Sequence, residues 1–376
     1  MKKYDVAAFV WPSYTGDEPR TRIFWPDGIG EWQTVKAMSD KGYTGCRWPR
    51  IPTWGYENEA DSAVMEKQID CAASYGVNVF IYDWYWYDNR PFLENCLNEG
   101  FLKAENNNKM QFCLMWANHD ANHLWDKRNS DRDLSTVIWS GVVTPKIFSE
   151  ICDRTIEKYF KRDNYYCIDG CPVYMIFDID NFIRSFGTSD ECKRAVLQFR
   201  QKVVDAGFKG LHLQFVHWRN RVFSWLKDED SQKGVSSAQM YEFLGADSVT
   251  SYNWGCSTDL DGDFCCVTDS YLSGIEDESK RLTVPFYPNI SVGWDNNVRF
   301  NKFVPGVIVN NTPANFKTAC KKVKAFADSS MKNGVMKAPF ITVNSWNEWT
   351  ETSYLEPDDL YGYGYLEAIR DVFTGE

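Results

Sequence analysis

"MEKQIDCAASYGVNVFIYDW", residues 65–84, changes its period halfway along. Met65, Ile69 and Ala72 recur at three- and four-residue spacing, which places them on one helix face, and Gly76 supplies the left-handed stop. From Val77 onward a run of β-branched and aromatic residues, VNVFIYDW (77–84), reads as a strand. A helix that feeds directly into an apolar strand is the repeating unit of a parallel sheet.

The same unit recurs along the chain. Further strands are predicted at YDVAAFVW (4–11), QFCLMWA (111–117), PVYMIF (172–177), LHLQFV (211–216), DSVTSY (247–252), VPFYPNI (284–290) and PFITVNSW (339–346). Thr144-Pro145 and Thr312-Pro313 each place a capping hydroxyl before a proline at the first helical position, where the missing N–H costs nothing. After Pro313, the residues Phe316, Ala319, Val323 and Phe326 form one apolar face and Gly334 the stop. The last helix shows Leu366, Ile369 and Phe373. Eight strand–helix units predict an α/β fold, a (β/α)8 TIM barrel, as a single domain over 1–376. Long insertions follow the first strand (12–57), the third (118–144) and the fifth (217–235). A doubly wound sheet with a second domain is the competing architecture, because strand order is not written in a sequence.

Composition narrows the partners. Lys and Arg total 41 against 52 Asp and Glu, a net charge of −11 that repels polyphosphate backbones, so no nucleic acid is expected. No apolar run is long enough for a membrane span. Asp5 interrupts the opening apolar stretch and no small-residue cleavage site follows, so a signal peptide is not read there and a cytoplasmic protein is expected. Twelve scattered cysteines without a CxxC pair suit reduced thiols packed as small hydrophobes, the adjacent Cys265 and Cys266 included. Sixteen Trp and twenty Tyr exceed what core filling asks for, and such rings also stack on the apolar faces of sugars.

In a barrel, residues just past each strand face one basin. Here they are polar and aromatic: Trp11 and Tyr14, Asp83 and Tyr85, Trp116 and Asn118, then Asp178, His217 and Trp218. Asn253 and Trp254, Asn289, Asn344 and Asn347 complete the rim. After the eighth strand comes WNEWTETSYLEPD (346–358), where Trp346 and Trp349 flank Asn347 and Glu348, and Glu351 follows. Hydrolysis of a sugar acetal needs two acids around one bond. Two glutamates three apart on a helical turn have Cβ atoms about 5–6 Å apart, and one of two such close acids is expected to hold its proton. Glu356, before a proline, reads as structural.

WNEWTETSYLEPD resembles the carboxyl-terminal signature of the glycoside hydrolase family 99-like proteins, also called WbsX-type. GIGEWQTV (28–35), QIDCAASYGVNVFIYDWYW (68–86), FLE (92–94), FCLMWAN (112–118) and GWDNNVR (293–299) are similar to that family's other landmarks, in order and across nearly the whole chain. The resemblance implies a (β/α)8 barrel that acts on α-linked, mannose-type oligosaccharides or polysaccharides, with retention of configuration, no metal and no cofactor. It implies further that Glu348 deprotonates the substrate's own 2-hydroxyl, which attacks the anomeric carbon. Glu351 is then the acid that protonates the leaving oxygen and afterwards activates water. This chain has Thr350 and Thr352 where the family's endo-mannosidases tend to have His and Gly. Trp11, Tyr14, Asp83, Tyr85, Trp116, Asn118, His119, Trp254, Trp294, Asp295, Trp346, Asn347 and Trp349 are the candidates for holding the sugar, with Asp295 and Arg299 alternatively paired as a structural bridge.

His119 and His123 in HDANH stand four apart like zinc ligands, but no helical pattern surrounds them and no third ligand is evident. Asp259, Asp261 and Asp263 alternate like a calcium loop, yet the glycine falls too early and no acid closes it. His212 reads as a packed core residue. The absence of a phosphate-binding glycine loop argues against a nucleotide-sugar donor. A glycosyltransferase or transglycosidase of polysaccharide metabolism, using the same acids, and a non-catalytic carbohydrate-binding barrel remain the alternatives.

Overall fold

A computed structural model of the protein describes residues 4–16, 18–37, 50–219, 221–227 and 234–375. Parts of the first and fifth-strand insertions, at 38–49 and 228–233, lie outside these, as does the 1–3 opening. Eight strands appear where the sequence predicts them: β1 (Asp5–Val10), β2 (Val79–Tyr87), β3 (Gln111–Trp116), β4 (Cys171–Ile176), β5 (His212–Val216), β6 (Ser248–Thr250), β7 and β8 (Phe340–Asn344). β7 is broken into Phe286–Tyr287 and Asn289–Ser291 by Pro288, which has no N–H to give to a ladder.

The neighbours in the sheet run in sequence order and then close. The first piece of β7 pairs with β6, the second with β8, and β8 pairs with β1 through Asp5 opposite Phe340 to Ala8 opposite Val343. All of these pairings are parallel. A sheet whose last strand joins its first is a barrel, so the doubly wound alternative is ruled out, and one continuous buried cluster makes a single domain. β2 is buried along its whole length, as expected for a strand covered by side chains on both faces.

The helices follow their local signals. α1 (Ser62–Ser74) buries Met65, Ile69 and Ala72, is capped by Asp61, and is followed by Gly76 at φ +88°. α2 (Pro145–Thr155) and α3 (Pro313–Lys332) begin at the two Thr-Pro pairs, with Thr144 Oγ1 accepting from the Ile147 amide and Thr312 Oγ1 from that of Asn315. In α3 Phe316, Ala319 and Val323 are buried while Phe326 is half-buried, and Ala327 takes the inward place. α4 (Gly364–Phe373) buries Leu366, Ile369 and Phe373. The β2–β3 connection differs from expectation: in place of a long helix it holds a short strand, Arg90–Phe92, folded back antiparallel on β2, and the short helical turns Cys96–Gly100, Phe101–Lys103 and Asn107–Lys109. Gly100 explains how tightly that connection lies, because a Cβ there would meet the Glu59 carbonyl at 2.1 Å.

Inside the barrel the middle layer is polar. Thr250 and Thr342 hydroxyls are 3.1 Å apart, Asn289 Nδ2 donates to Thr342 Oγ1 at 3.0 Å, and Gln214 Nε2 donates to Ser248 Oγ at 2.8 Å. His212 joins this layer through Nε2 and Ser248 Oγ, 2.7 Å apart, as a packed core histidine. Among the described residues the cysteines are free thiols, and no helix is long and apolar enough to cross a membrane.

Candidate active site

The strands alternate their side chains between barrel interior and helix layer, and this period of two decides which strand-end residues meet at the mouth. On β2, Asp83 and Tyr85 point inward, while Trp84 turns out to donate to Glu94. On and after β3, Met115, Ala117 and His119 point inward. After β6, Tyr252 continues the inward face of Thr250. The eighth loop adds Glu348 and Glu351, and the seventh adds Arg299. Together with Leu124, Trp125 and Phe177 these residues line a cavity of about 220 Å³.

Glu348 and Glu351 are bridged by one guanidinium. Arg299 Nη2 lies 3.3 Å from Glu348 Oε2 and Nη1 lies 2.8 Å from Glu351 Oε1. The third nitrogen, Nε, lies 3.2 Å from Glu31 Oε1, so three carboxylates share this cation. Glu31 is completely buried, and its other oxygen accepts from Trp11 Nε1. Gly30 brings it there: at φ +59° its backbone passes so close to Ser13 that a Cβ would lie 1.8 Å from the carbonyl oxygen. Glu348 ends a two-residue strand and Glu351 ends the short turn Trp349–Glu351, so the pair stands on a turn as the spacing suggests. Thr352 follows in the left-handed region at φ 54°, held by its hydroxyl on the Asp295 carbonyl.

Each group's charge follows from these contacts. Burial pushes Glu348 well above the usual carboxylate range, and Glu351 adds to it, against the pull of Arg299. Burial also raises Glu351, which Arg299 opposes more effectively through the shorter contact. Burial works against the charge on Arg299, but Glu31, Glu351 and Glu348 outweigh it and hold the guanidinium protonated. Burial raises Asp83 well above its usual range, against its hydrogen bond with Tyr252, and Glu351 adds to the rise. His119 is lowered by burial, which favours the neutral ring. Glu351 Oε2 and Asp83 Oδ1 are buried and have no hydrogen-bond partner.

Of the residues chosen from sequence, Glu348, Glu351, Asp83, Tyr85 and His119 line the cavity. Trp11 stands one layer behind, edge-on to Tyr85 and tilted on Trp125. Tyr14 packs on Trp32 with ring centroids 4.1 Å apart. The others lie elsewhere. Trp116 points outward and stacks on Phe148. Asn118 exchanges hydrogen bonds with the Asp178 backbone. Trp254 stacks on Tyr271 and donates to the Asn289 carbonyl. Trp294 is half-buried and its carbonyl accepts from the Ile308 amide. Trp346 donates to Gln68, and Trp349 stacks on Tyr354 at 3.7 Å and donates to Glu356. Asn347 clamps the Trp11 backbone from both ends of its amide and donates to Glu59, which fixes the position of the next residue, Glu348. Asp295 does not pair with Arg299; its Oδ1 holds the Asn297 amide and side chain instead.

Sequence does not point to the other seven lining residues, of which Tyr252, Trp125, Phe177 and Arg299 in its bridging role are the aromatic or charged ones. Strand period would have found Tyr252, two past Thr250. Nothing in the sequence marks Trp125, which ends the short helical turn His123–Trp125 in the long third-strand insertion. The motif residues set aside are accounted for by loop structure. Asp120 Oδ1 accepts from Gly141 N, Asp263 caps the helix Phe264–Arg281, and Asp261 accepts from Val307 N. Among the described residues no group of three or more His, Cys, Asp or Glu side chains is placed to hold a metal ion.

A family profile described as Glycosyltransferase WbsX matches residues 6–369. Two curated relatives named Uncharacterized protein WxcX, from two strains of Xanthomonas campestris pv. campestris, are 23% identical over 377 residues, which cover 98% of this chain and 49% of theirs. The chain therefore spans about half the length of the curated relatives it matches. Among solved structures, the GH99 endo-alpha-mannosidase from Bacteroides thetaiotaomicron superposes with a TM-score of 0.57 at 14% identity, over 98% of this chain and 96% of that one. A protein described as a glycoside hydrolase-like protein gives a TM-score of 0.58 at 15% identity, over 99% and 94%. At these identities the likeness is one of fold, a TIM barrel of the kind that carries glycoside hydrolases.

Proposed function

The chain belongs to the WbsX glycosyltransferase family, and from that premise we propose that it is a retaining glycosidase of α-linked, mannose-type glycans. The observation that carries this reading is the pair Glu348 and Glu351 in one cavity at the open end of the barrel, bridged by Arg299. Paired acids around one bond are what acetal cleavage requires and what a mere binding site does not. Burial pushes Glu348 up further than Glu351, yet Glu348 accepts hydrogen bonds on both oxygens, from Tyr252 and Arg299, and these favour the ionised form that a base needs. Glu351 has Oε1 on Arg299 and Oε2 without a partner, which leaves one oxygen to carry a proton toward a leaving group.

In this reading Glu348 takes the proton of the sugar's 2-hydroxyl as that oxygen attacks the anomeric carbon. The bond to the leaving oxygen breaks as Glu351 protonates it. Glu351, now ionised, then takes a proton from water, whose oxygen opens the strained ring at the anomeric carbon, and Glu348 returns its proton to the 2-oxygen. Two displacements at one carbon retain its configuration.

The cavity's charge supports a neutral glycoside over a nucleotide-sugar donor. Arg299 is the one Arg or Lys side chain among the described lining residues, and three carboxylates already engage it. No lining cation is left over for a diphosphate. The family's description as a glycosyltransferase favours a second outcome of the same chemistry, transfer of the sugar to another glycan's hydroxyl. Incubation with a panel of α-linked glycans in water labelled with heavy oxygen, read by mass spectrometry, separates the two. Hydrolysis places the label at a new reducing end, and transfer gives longer, unlabelled chains. Failure of every α-linked glycan to react, or wild-type rates in Glu348→Gln or Glu351→Gln, would overturn the proposal.

A further inference from the structure

Tyr252 has one hydroxyl proton and two carboxyl neighbours. Its oxygen lies 3.0 Å from Asp83 Oδ2 and 2.9 Å from Glu348 Oε1. All three groups are buried, so an unmatched contact between them is costly. A phenol donates once, and burial holds it protonated here, with Asp83 and Glu348 adding to the effect. Two hydrogen bonds through one oxygen therefore need a second proton, carried by Asp83 or by Glu348. With both ionised, one contact would set two lone pairs against each other.

The surroundings decide which acid carries it. Burial and Glu351 raise both acids, so the ion pair distinguishes them: Glu348 has Arg299 on its other oxygen, a guanidinium it shares with Glu351 and Glu31. Asp83 has no ion pair among the described residues, its Oδ2 touches only Tyr252, and its Oδ1 is unpartnered while the residue lines the cavity. The remaining titratable groups around it, Tyr85 and His119, bring no positive charge: Tyr85 is raised and His119 lowered by burial. We infer that Asp83 is held as a neutral carboxylic acid that donates to Tyr252, so that Tyr252 donates to Glu348 and keeps Glu348 ionised, while the Asp83 carbonyl oxygen receives a substrate hydroxyl. Asp83 is thus a positioning residue for Glu348 and a recognition point for a hydroxylated, uncharged ligand.

The inference rests on the reading of Glu348 as a base, but its first test does not need a substrate. Infrared difference spectra of the intact, unliganded protein at neutral pH compare wild type with Asp83→Asn and with Glu348→Gln. The expected result is that one protonated-carboxyl band, beside that of the acid Glu351, disappears in Asp83→Asn and persists in Glu348→Gln. An Asp83→Asn spectrum that keeps every protonated-carboxyl band overturns the inference, whether or not the enzyme turns over. On a verified substrate, Asp83→Asn, whose amide still donates to Tyr252, should lose about tenfold in kcat, and Asp83→Leu about a thousandfold. Equal losses in the two would contradict the donor role. Tyr252→Phe should move the acidic limb of kcat/KM to higher pH, because ionised Glu348 loses a donor. If the infrared result holds and no glycan is cleaved, the proton is placed correctly and the glycosidase reading is what fails.

Discussion

Replacing Arg299 by methionine keeps much of the side chain's volume and removes its charge. Arg299 is almost fully buried and contacts Glu31, Glu348 and Glu351 at 3.2, 3.3 and 2.8 Å. Deleting one partner of a buried ion pair leaves the other uncompensated and costs about 3–5 kcal/mol. Unfolding entropy scales with length, so 376 residues give about 0.8 kcal/mol per kelvin, and Arg299→Met should lower Tm by ~4–6 °C at pH 8. The pH dependence fixes the cause. Glu348 and Glu351 have raised folded-state pKa values, so their contribution favours folding at low pH and is lost as pH rises through those values. Without the guanidinium the values rise further, and the penalty grows with pH. At pH 5 the carboxyls protonate in the variant and the Tm gap should shrink to about half. Differential scanning fluorimetry at pH 5, 6.5 and 8 measures this. A pH-independent gap, or no gap, would refute the electrostatic account of the site.

Three further outcomes follow from neighbouring contacts. Burial pushes Glu59 up to about 7, so its contribution is favourable below its unfolded value and turns into a penalty of ~3 kcal/mol as pH rises through 7; urea titrations should show a flatter stability–pH curve in Glu59→Gln. Asn347→Ala removes the clamp on Trp11 and Glu59 and should cost about 2–4 kcal/mol by urea unfolding, with turnover also falling because Glu348 loses its anchor. Thr312→Ala removes the cap of α3, should cost about 1 kcal/mol by the same measurement, and should leave kcat unchanged.

The barrel was legible because each strand and most helices carry their own local signals. Thr144-Pro145, Thr312-Pro313 and Gly76 mark boundaries by backbone chemistry that tertiary packing does not override. Closure was not legible, since pairing of β8 with β1 joins residues more than three hundred positions apart. At the site, proximity to a strand end was read correctly but facing was not. Trp116 and Trp254 were chosen as aromatics near the mouth, yet their side chains face the helix layer. Asp83, Tyr85 and His119 share the inward parity and reach the cavity. The bridging of Glu31 and Glu348 by Arg299 was not legible because each residue acts across the fold, from loops with no recognisable spacing to Glu348.

The roles of Glu351 and Glu348 separate most directly on a glycosyl fluoride of the identified sugar, whose leaving group needs no proton, in the presence of azide, which attacks without a base. Glu351→Gln should release fluoride and form the glycosyl azide at close to the wild-type rate of fluoride consumption, while Glu348→Gln stays at least about a hundredfold slower under every condition. Azide rescue of Glu348→Gln, or none in Glu351→Gln, would contradict the assignment.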